Sequence, residues 1–329
     1  MIAFGPVPSR RLGRSIGINN IPPKTCTYSC VYCQLGRTKK MQTESGSFYH
    51  PEEIRNAVAG KLRLADNAGE SIDYLTFVAD GEPTLDIHLG QEIELIRSSG
   101  IKIAVITNGS LVWTDSVKEH LQKADWVSLK IDTVEEKIWR KIDRPHRSLE
   151  FQKILDGIVE FARQYKGKLA TETMLICNLN DSEDQVREVS DFIKQLSIDT
   201  SYLSVPTRPP AEKWVQPPTE ETLIRAYQIF SSQIKKVEYL IGYEGNAFAF
   251  TGDVQKDLLS ITSVHPMRED AVAEFLNKAE ADWSAVDRLI DKGMLVKKVF
   301  QGKKFYARKL FFATATQFRN QEDSNHDVT

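Results

Sequence analysis

Cys26, Cys30 and Cys33 stand in the stretch Lys-Thr-Cys-Thr-Tyr-Ser-Cys-Val-Tyr-Cys-Gln, with gaps of three residues and then two. Thiolates gathered on one tight loop are the soft ligands that the irons of an iron–sulfur cluster take. Three are one short of the usual four, so a [4Fe–4S] cluster held this way keeps one iron open to a small molecule. A zinc site and a disulfide pair are the alternatives. Zinc wants a fourth Cys or His at close spacing, and the nearest histidine is His50. Disulfides suit a secreted chain.

Further along, polar segments follow β-rich runs. Asp80-Gly81-Glu82-Pro83-Thr84 comes after the first such run. Gly81 permits unusual dihedrals and close backbone approach, and a carboxylate or carbonyl there accepts from an ammonium. Thr107-Asn108-Gly109 ends the next run, with an amide suited to a ribose or a carboxylate. Lys130 lies at the end of the third, and Thr171-Glu172-Thr173 sits on the fourth. Alternation aims Thr171 and Thr173 one way and Glu172 the other. A carboxylate inside an apolar barrel needs a partner, so Glu172 is expected to face a polar ligand. All of these lie toward the C-terminal ends of strands, where parallel α/β proteins bind ligands. Arg10, Arg11 and Arg14 near the N-terminus suit phosphate or carboxylate. Cys177 stands alone and is expected to be a buried small hydrophobe.

The elements that must position these residues alternate. Strands are expected at 74–78, 103–107, 126–131, 169–176, 201–205 and 237–241. Amphipathic helices are expected at 51–64, 89–98, 114–122, 149–165, 182–196 and 219–230. Thr114-Asp115 and Ser182-Glu183-Asp184 read as helix caps. Such alternation implies parallel pairing with right-handed crossovers. Residues 206–218, rich in proline and carrying Arg208, read as an ordered loop or lid. After Gly252 the pattern changes to three helices at 253–261, 268–278 and 282–292, then two β-type runs about Gln301-Gly302. Pro266 and Gly293 bound these helices. Three helices followed by a hairpin resemble a winged helix-turn-helix, with 251–312 as that domain and 313–329 as a polar, flexible tail.

Composition limits the rest. The 329 residues allow one large domain and a small one. A net charge of −2 names no polyanionic partner in bulk, but Lys292, Lys297, Lys298, Lys303, Lys304, Arg308 and Lys309 make the hairpin basic. Asp282, Asp287 and Asp291 make the preceding helix acidic, which suits a DNA major groove poorly. Four cysteines, three of them clustered, fit a reducing cytosol. No signal-peptide run and no membrane-length apolar run stands out, so a cytoplasmic location is expected.

The cysteine spacing, with the aromatic Tyr32 before the last cysteine, resembles the signature of the radical S-adenosylmethionine (SAM) superfamily. That resemblance implies a [4Fe–4S] cluster on Cys26, Cys30 and Cys33 whose open iron chelates the amino and carboxylate groups of SAM. Reduction then gives methionine and a 5′-deoxyadenosyl radical. Asp80-Gly81-Glu82-Pro83 resembles the family's Gly-Gly-Glu-Pro segment, which meets the SAM amino group. Asp80 replaces a glycine, which requires that its backbone avoid positive φ. Thr107-Asn108-Gly109 resembles a segment of glycyl-radical activating enzymes and tRNA wyosine-base synthases. Lys130 matches a lysine near the SAM carboxylate. The implied SAM ligands are therefore Tyr32, Gly81, Glu82, Asn108 and Lys130.

Residues 5–19 resemble a subgroup that sequence places beside the wyosine-base synthases. The archaeal synthases carry three more cysteines for a second cluster, and here only Cys177 remains. The resemblance implies a partial (β/α)6 barrel over 1–250. It also implies a flavodoxin or ferredoxin as electron donor, and tRNA or another RNA as substrate, gripped by the wing and by Arg10 and Arg11. The alternative is a peptide or protein substrate docked by the winged helix. A third reading, a non-enzymatic iron–sulfur regulator, leaves the Gly-Glu-Pro and Thr-Asn-Gly segments without a purpose.

Overall fold

The computed structural model of the chain describes residues 1–78, 80–242, 248–264 and 266–309. The expected tail at 313–329 and the last residues of the expected C-terminal domain lie outside them.

An N-terminal hairpin comes first, β1 (Ala3–Ser9) and β2 (Gly13–Ile18), then the short pair β3 (Thr25–Cys26) and β4 (Lys40–Met41). The alternating part follows: α1 (Pro51–Asn67), β5 (Tyr74–Phe77), α2 (Leu89–Ile96), β6 (Lys102–Thr107), α3 (Asp115–Leu121), β7 (Trp126–Lys130), α4 (Glu136–Ile142) and α5 (Phe151–Gln164). It continues with β8 (Lys168–Met174), α6 (Glu183–Lys194), β9 (Thr200–Ser204), α7 (Glu220–Gln233) and β10 (Val237–Leu240). The C-terminal part holds α8 (Val254–Val264), β11 (Met267–Arg268), α9 (Glu269–Lys278), α10 (Ser284–Asp291), β12 (Leu295–Phe300) and β13 (Lys303–Arg308).

The six strands expected from the alternation are β5 to β10. They run parallel and in chain order along one curled sheet. The hairpin β1–β2 extends this sheet to eight strands, with β2 parallel to β5. The α/β partial barrel expected from the sequence is therefore present, with an extra edge. Pro6 and Pro8 hid that edge, because proline argues against a strand anywhere but at a sheet's border. The border is where β1 lies, with a register shift between Phe4 and Val7.

Caps explain several helix starts. Ser182 accepts from the Gln185 amide and Thr219 from the Thr222 amide. Thr114 holds the expected position before α3 but makes no cap bond; its hydroxyl donates to the Leu111 carbonyl instead (2.8 Å).

The outer face of the sheet buries Ile103, Val105, Val127, Leu129, Leu169 and Leu203 against the helices in the main core. The inner face closes its lower end with Leu12, Ala104, Trp126, Ala170, Tyr202 and Leu240. Ala104 pairs across from Trp126, so a small residue leaves room for a large one. Above that plug the inward positions Lys130 on β7 and Glu172 on β8 are charged, with Met174 following on β8. The inner face thus forms a cup with an apolar floor and a charged wall.

The three C-terminal helices appear where the sequence puts them, and β11 adds a third strand to the hairpin in the order β11-β13-β12. Their core is not separate from the barrel. Phe4 and Val7 of β1 pack among Phe248, Leu258, Phe275, Leu289 and Tyr306. Gly17 on β2 makes this possible, since a Cβ there would fall 1.9 Å from the Phe4 ring. No helix of the described residues is long and apolar enough to cross a membrane.

Candidate active site

The cysteine loop starts at β3 and returns at β4, its base tied by the Lys39 and Lys40 amides to the Lys24 carbonyl (3.2 and 3.1 Å). Two segments hold it from outside. The Ser29 and Val31 amides donate to Asp143 and Ile142 at the end of α4. The Glu212 amide donates to the Val31 carbonyl, and Arg208 donates to the Gln34 side chain (2.6 Å). The proline-rich segment 206–218 is therefore ordered against the loop.

All three thiols are free, half-buried and turned toward one cavity of about 360 Å³ at the open end of the cup. Burial pushes all three up, Cys26 to about 12. Among the described residues no three His, Cys, Asp or Glu are set to hold a single metal ion. Three soft donors spread along a loop over a cavity fit a multi-iron cluster, whose irons share the ligands among them.

Gly81 meets this loop from the strand side. Its φ is not positive. Glycine is required at 81 for a different reason: a Cβ there would lie 1.7 Å from the Thr25 carbonyl oxygen. The Glu82 amide then donates to that carbonyl (3.2 Å), fixing the turn against β3.

Glu82 is 1% exposed and spans three segments. Its Oε1 accepts from the Thr84 amide (3.0 Å) and from the Thr84 and Thr107 hydroxyls (2.6 Å each). Its Oε2 accepts from the Asn108 amide (2.8 Å). Burial raises its proton affinity, and these donors pull it back. Asn108 in turn donates to the Thr27 hydroxyl (2.8 Å) and approaches the Cys26 sulfur (3.7 Å). One carboxylate thus locks the Glu82 turn and the end of β6 together beneath the cysteine loop.

The opposite wall is a charge network. Glu172 pairs with Arg11 and with Lys130 (3.0 Å), and Lys130 lies 4.8 Å from the centre of the Tyr32 ring. Burial works to raise the Glu172 carboxyl, but Lys130 and Arg11 overcome it and hold it well below the usual carboxylate range. The same carboxylates, Asp132 first, keep Lys130 charged against the cost of burial. The Tyr32 hydroxyl donates to Asp132 (2.5 Å) and lies near Asp143 (3.3 Å), which also accepts from the Cys30 thiol (3.2 Å). Glu172 does meet polar partners, but they are the chain's own cations.

Cys26, Cys30, Cys33, Tyr32, Gly81, Glu82, Asn108 and Lys130 all line this one cavity, with Arg10, Arg11 and Glu172. Arg14 does not; it pairs with Glu70 at the outer edge. Cys177 is half-buried rather than enclosed, and does not line the cavity. Sequence reading missed Asp143 and Lys24. Asp143 follows a short helix with no motif around it, and Lys24 is an unremarkable lysine until its backbone turns left-handed at φ 66°.

Comparison with known proteins gives four findings. Residues 20–193 match the model of the radical SAM superfamily. The chain is 47% identical over 311 residues to a UPF0026 protein of Methanocaldococcus jannaschii, covering 94% of this chain and 96% of that one. Among solved structures it is similar to a radical SAM methyltransferase from Sphaerobacter thermophilus (TM-score 0.54, 16% identity, 69% of this chain and 66% of that one). It is also similar to TYW1 with a lysine–pyruvate adduct bound (TM-score 0.51, 17% identity, 68% and 75%). At those identities the last two speak for the fold alone.

Proposed function

The chain belongs to the radical SAM superfamily, and we propose that Cys26, Cys30 and Cys33 hold its [4Fe–4S] cluster while Tyr32, Gly81, Glu82, Asn108 and Lys130 bind SAM, for the modification of RNA. Bound together, these cofactors supply a 5′-deoxyadenosyl radical when one electron cleaves SAM reductively. The protein's own part is to bind, orient and exclude water.

The observation that carries the site assignment is the convergence of all eight residues, from four separate segments, on one cavity. Close packing at Gly81 sets the turn against the cysteine loop, leaving its backbone for an ammonium to approach. Glu82 acts mainly as the clamp that keeps this turn and Asn108 in register. Lys130, kept charged by Asp132 and Glu172, offers a cation to a carboxylate. A flavodoxin or ferredoxin supplies the electron at the cysteine-loop side.

RNA as substrate is supported by the basic hairpin β12–β13, which reaches the cavity's neighbourhood with Lys298 and Arg308. The test is a comparison of tRNA and rRNA nucleosides by mass spectrometry between a deletion strain and its parent. A modified nucleoside lost in the deletion and restored by the wild-type gene but not by Cys30→Ala supports the reading. An unchanged nucleoside profile contradicts it and moves the substrate to a peptide or protein.

A further inference from the structure

A second cleft, of about 370 Å³, lies between the cysteine loop and the C-terminal hairpin. Lys24, Gln34, Leu35 and Gly36 line both this cleft and the main cavity, so the two spaces adjoin. Its charged lining is Lys24, Arg37, Lys39, Lys298 and Arg308, and no acidic side chain lines it among the described residues.

These cations are not equally committed. Arg37 reaches out to Glu212 (2.7 Å). Lys24, Lys298 and Arg308 make no ion pair with any described residue. Lys24 is 7% exposed, and its Nζ donates to the Arg37 carbonyl (3.2 Å), which carries no compensating charge. Cys33 and Asp80 attract it, while Lys298 repels it from the hairpin side. A buried ammonium with no ion pair of its own is costly, and an anion in the cleft offsets that cost. The rest of the basic hairpin is engaged elsewhere. Lys304 pairs with Glu269 (3.1 Å), Lys297 lies over the Tyr306 ring (5.4 Å), and Lys303 lines a different cleft.

On the radical SAM reading above, we propose that this cleft binds a phosphate group of the substrate, which makes the substrate a nucleotide, free or within an RNA strand. Ammonium and guanidinium donors converging in a concave space suit a group with several anionic oxygens. Lys24 is buried, so only a small anionic group reaches it and a folded acidic protein does not. With phosphate in the cleft, the attached sugar and base extend through the shared wall at Gln34 and Gly36 into the main cavity.

The experiment uses full-length, anaerobically reconstituted protein and three fluorescent probes: a tRNA transcript, a nucleoside triphosphate and a polyglutamate peptide. Lys298→Gln/Arg308→Gln is compared with the charge-keeping Lys298→Arg/Arg308→Lys and with the single Lys298→Glu. Iron content and SAM affinity show that each variant is folded. For tRNA, the Gln double variant is expected to flatten the log–log salt slope by about 0.7–0.9, the share of the one phosphate in the cleft, while the charge-keeping variant binds as wild type. Weakening for tRNA alone assigns the phosphate to RNA, and weakening for the triphosphate as well assigns it to a free nucleotide. Unchanged binding of both phosphate probes in folded Gln and Glu variants overturns the proposal, as does wild-type preference for polyglutamate. A nucleoside change in the deletion strain alongside such a null binding result would remove the cleft and leave the RNA reading standing.

Discussion

At the scale of single residues, Glu82 shows how far a motif predicts a role. The sequence marks it as a SAM ligand through its turn, and it does line the cavity. Its carboxylate, however, accepts four hydrogen bonds from Thr84, Thr107 and Asn108. Glu82→Gln places an amide donor among donors, leaving a buried group unsatisfied. We expect a loss of about 1.5–3 kcal/mol in stability, as for hydrogen bonds to charged groups, together with weaker SAM binding and an intact cluster. Thermal unfolding with calorimetric SAM titration checks both. Unaltered stability would show that the clamp carries no energy. The three thiols and Lys130 were legible in the sequence because their spacing and strand-end positions are local. Asp143 and Lys24 were not, because each gains its meaning from a segment far along the chain.

At the scale of elements, the single helical turn Pro83–Leu85 rests on a buried polar cluster. Asn20 donates to the Pro83 carbonyl (3.1 Å), and Asp86 and Glu92 lie beside it, both 0% exposed. Burial raises both carboxyls, and the Asp86 charge raises Glu92 further. A carboxyl whose affinity for protons is higher folded than unfolded costs stability as pH rises. The cost begins near the ordinary carboxylate value of about 4 and grows through neutrality. Glu92→Gln mimics the protonated form. We expect it to match wild type near pH 4 and to be more stable near pH 8, by about 1–3 kcal/mol. Melting temperatures across that range give the answer, and a variant less stable than wild type at pH 8 contradicts the assignment. Among the strands, β5 to β10 were readable from apolar runs bounded by turns. The hairpin β1–β2 was not, because its prolines argue against a strand that only an edge position tolerates.

At the scale of the whole molecule, the parts depend on one another more than the sequence suggests. Composition and alternation give a barrel followed by a small helical unit. They do not show that Phe4 of β1 belongs to the core of that unit, or that Gly17 makes way for it. This packing holds the hairpin β12–β13 beside the cysteine loop and forms the cationic cleft between them. The charged wall of Arg11, Glu172 and Lys130 likewise joins the N-terminal hairpin to the middle of the sheet. The central claim is that this assembly cleaves SAM at a cluster on Cys26, Cys30 and Cys33. Its direct test is the yield of 5′-deoxyadenosine, by chromatography and mass spectrometry, from anaerobically reconstituted protein given SAM and a strong one-electron reductant. The account predicts about four irons per chain and slow 5′-deoxyadenosine release by wild type, with both lost in Cys30→Ala. Wild-type protein that binds zinc in place of iron, or a Cys30→Ala variant that releases 5′-deoxyadenosine at the wild-type rate, would contradict it.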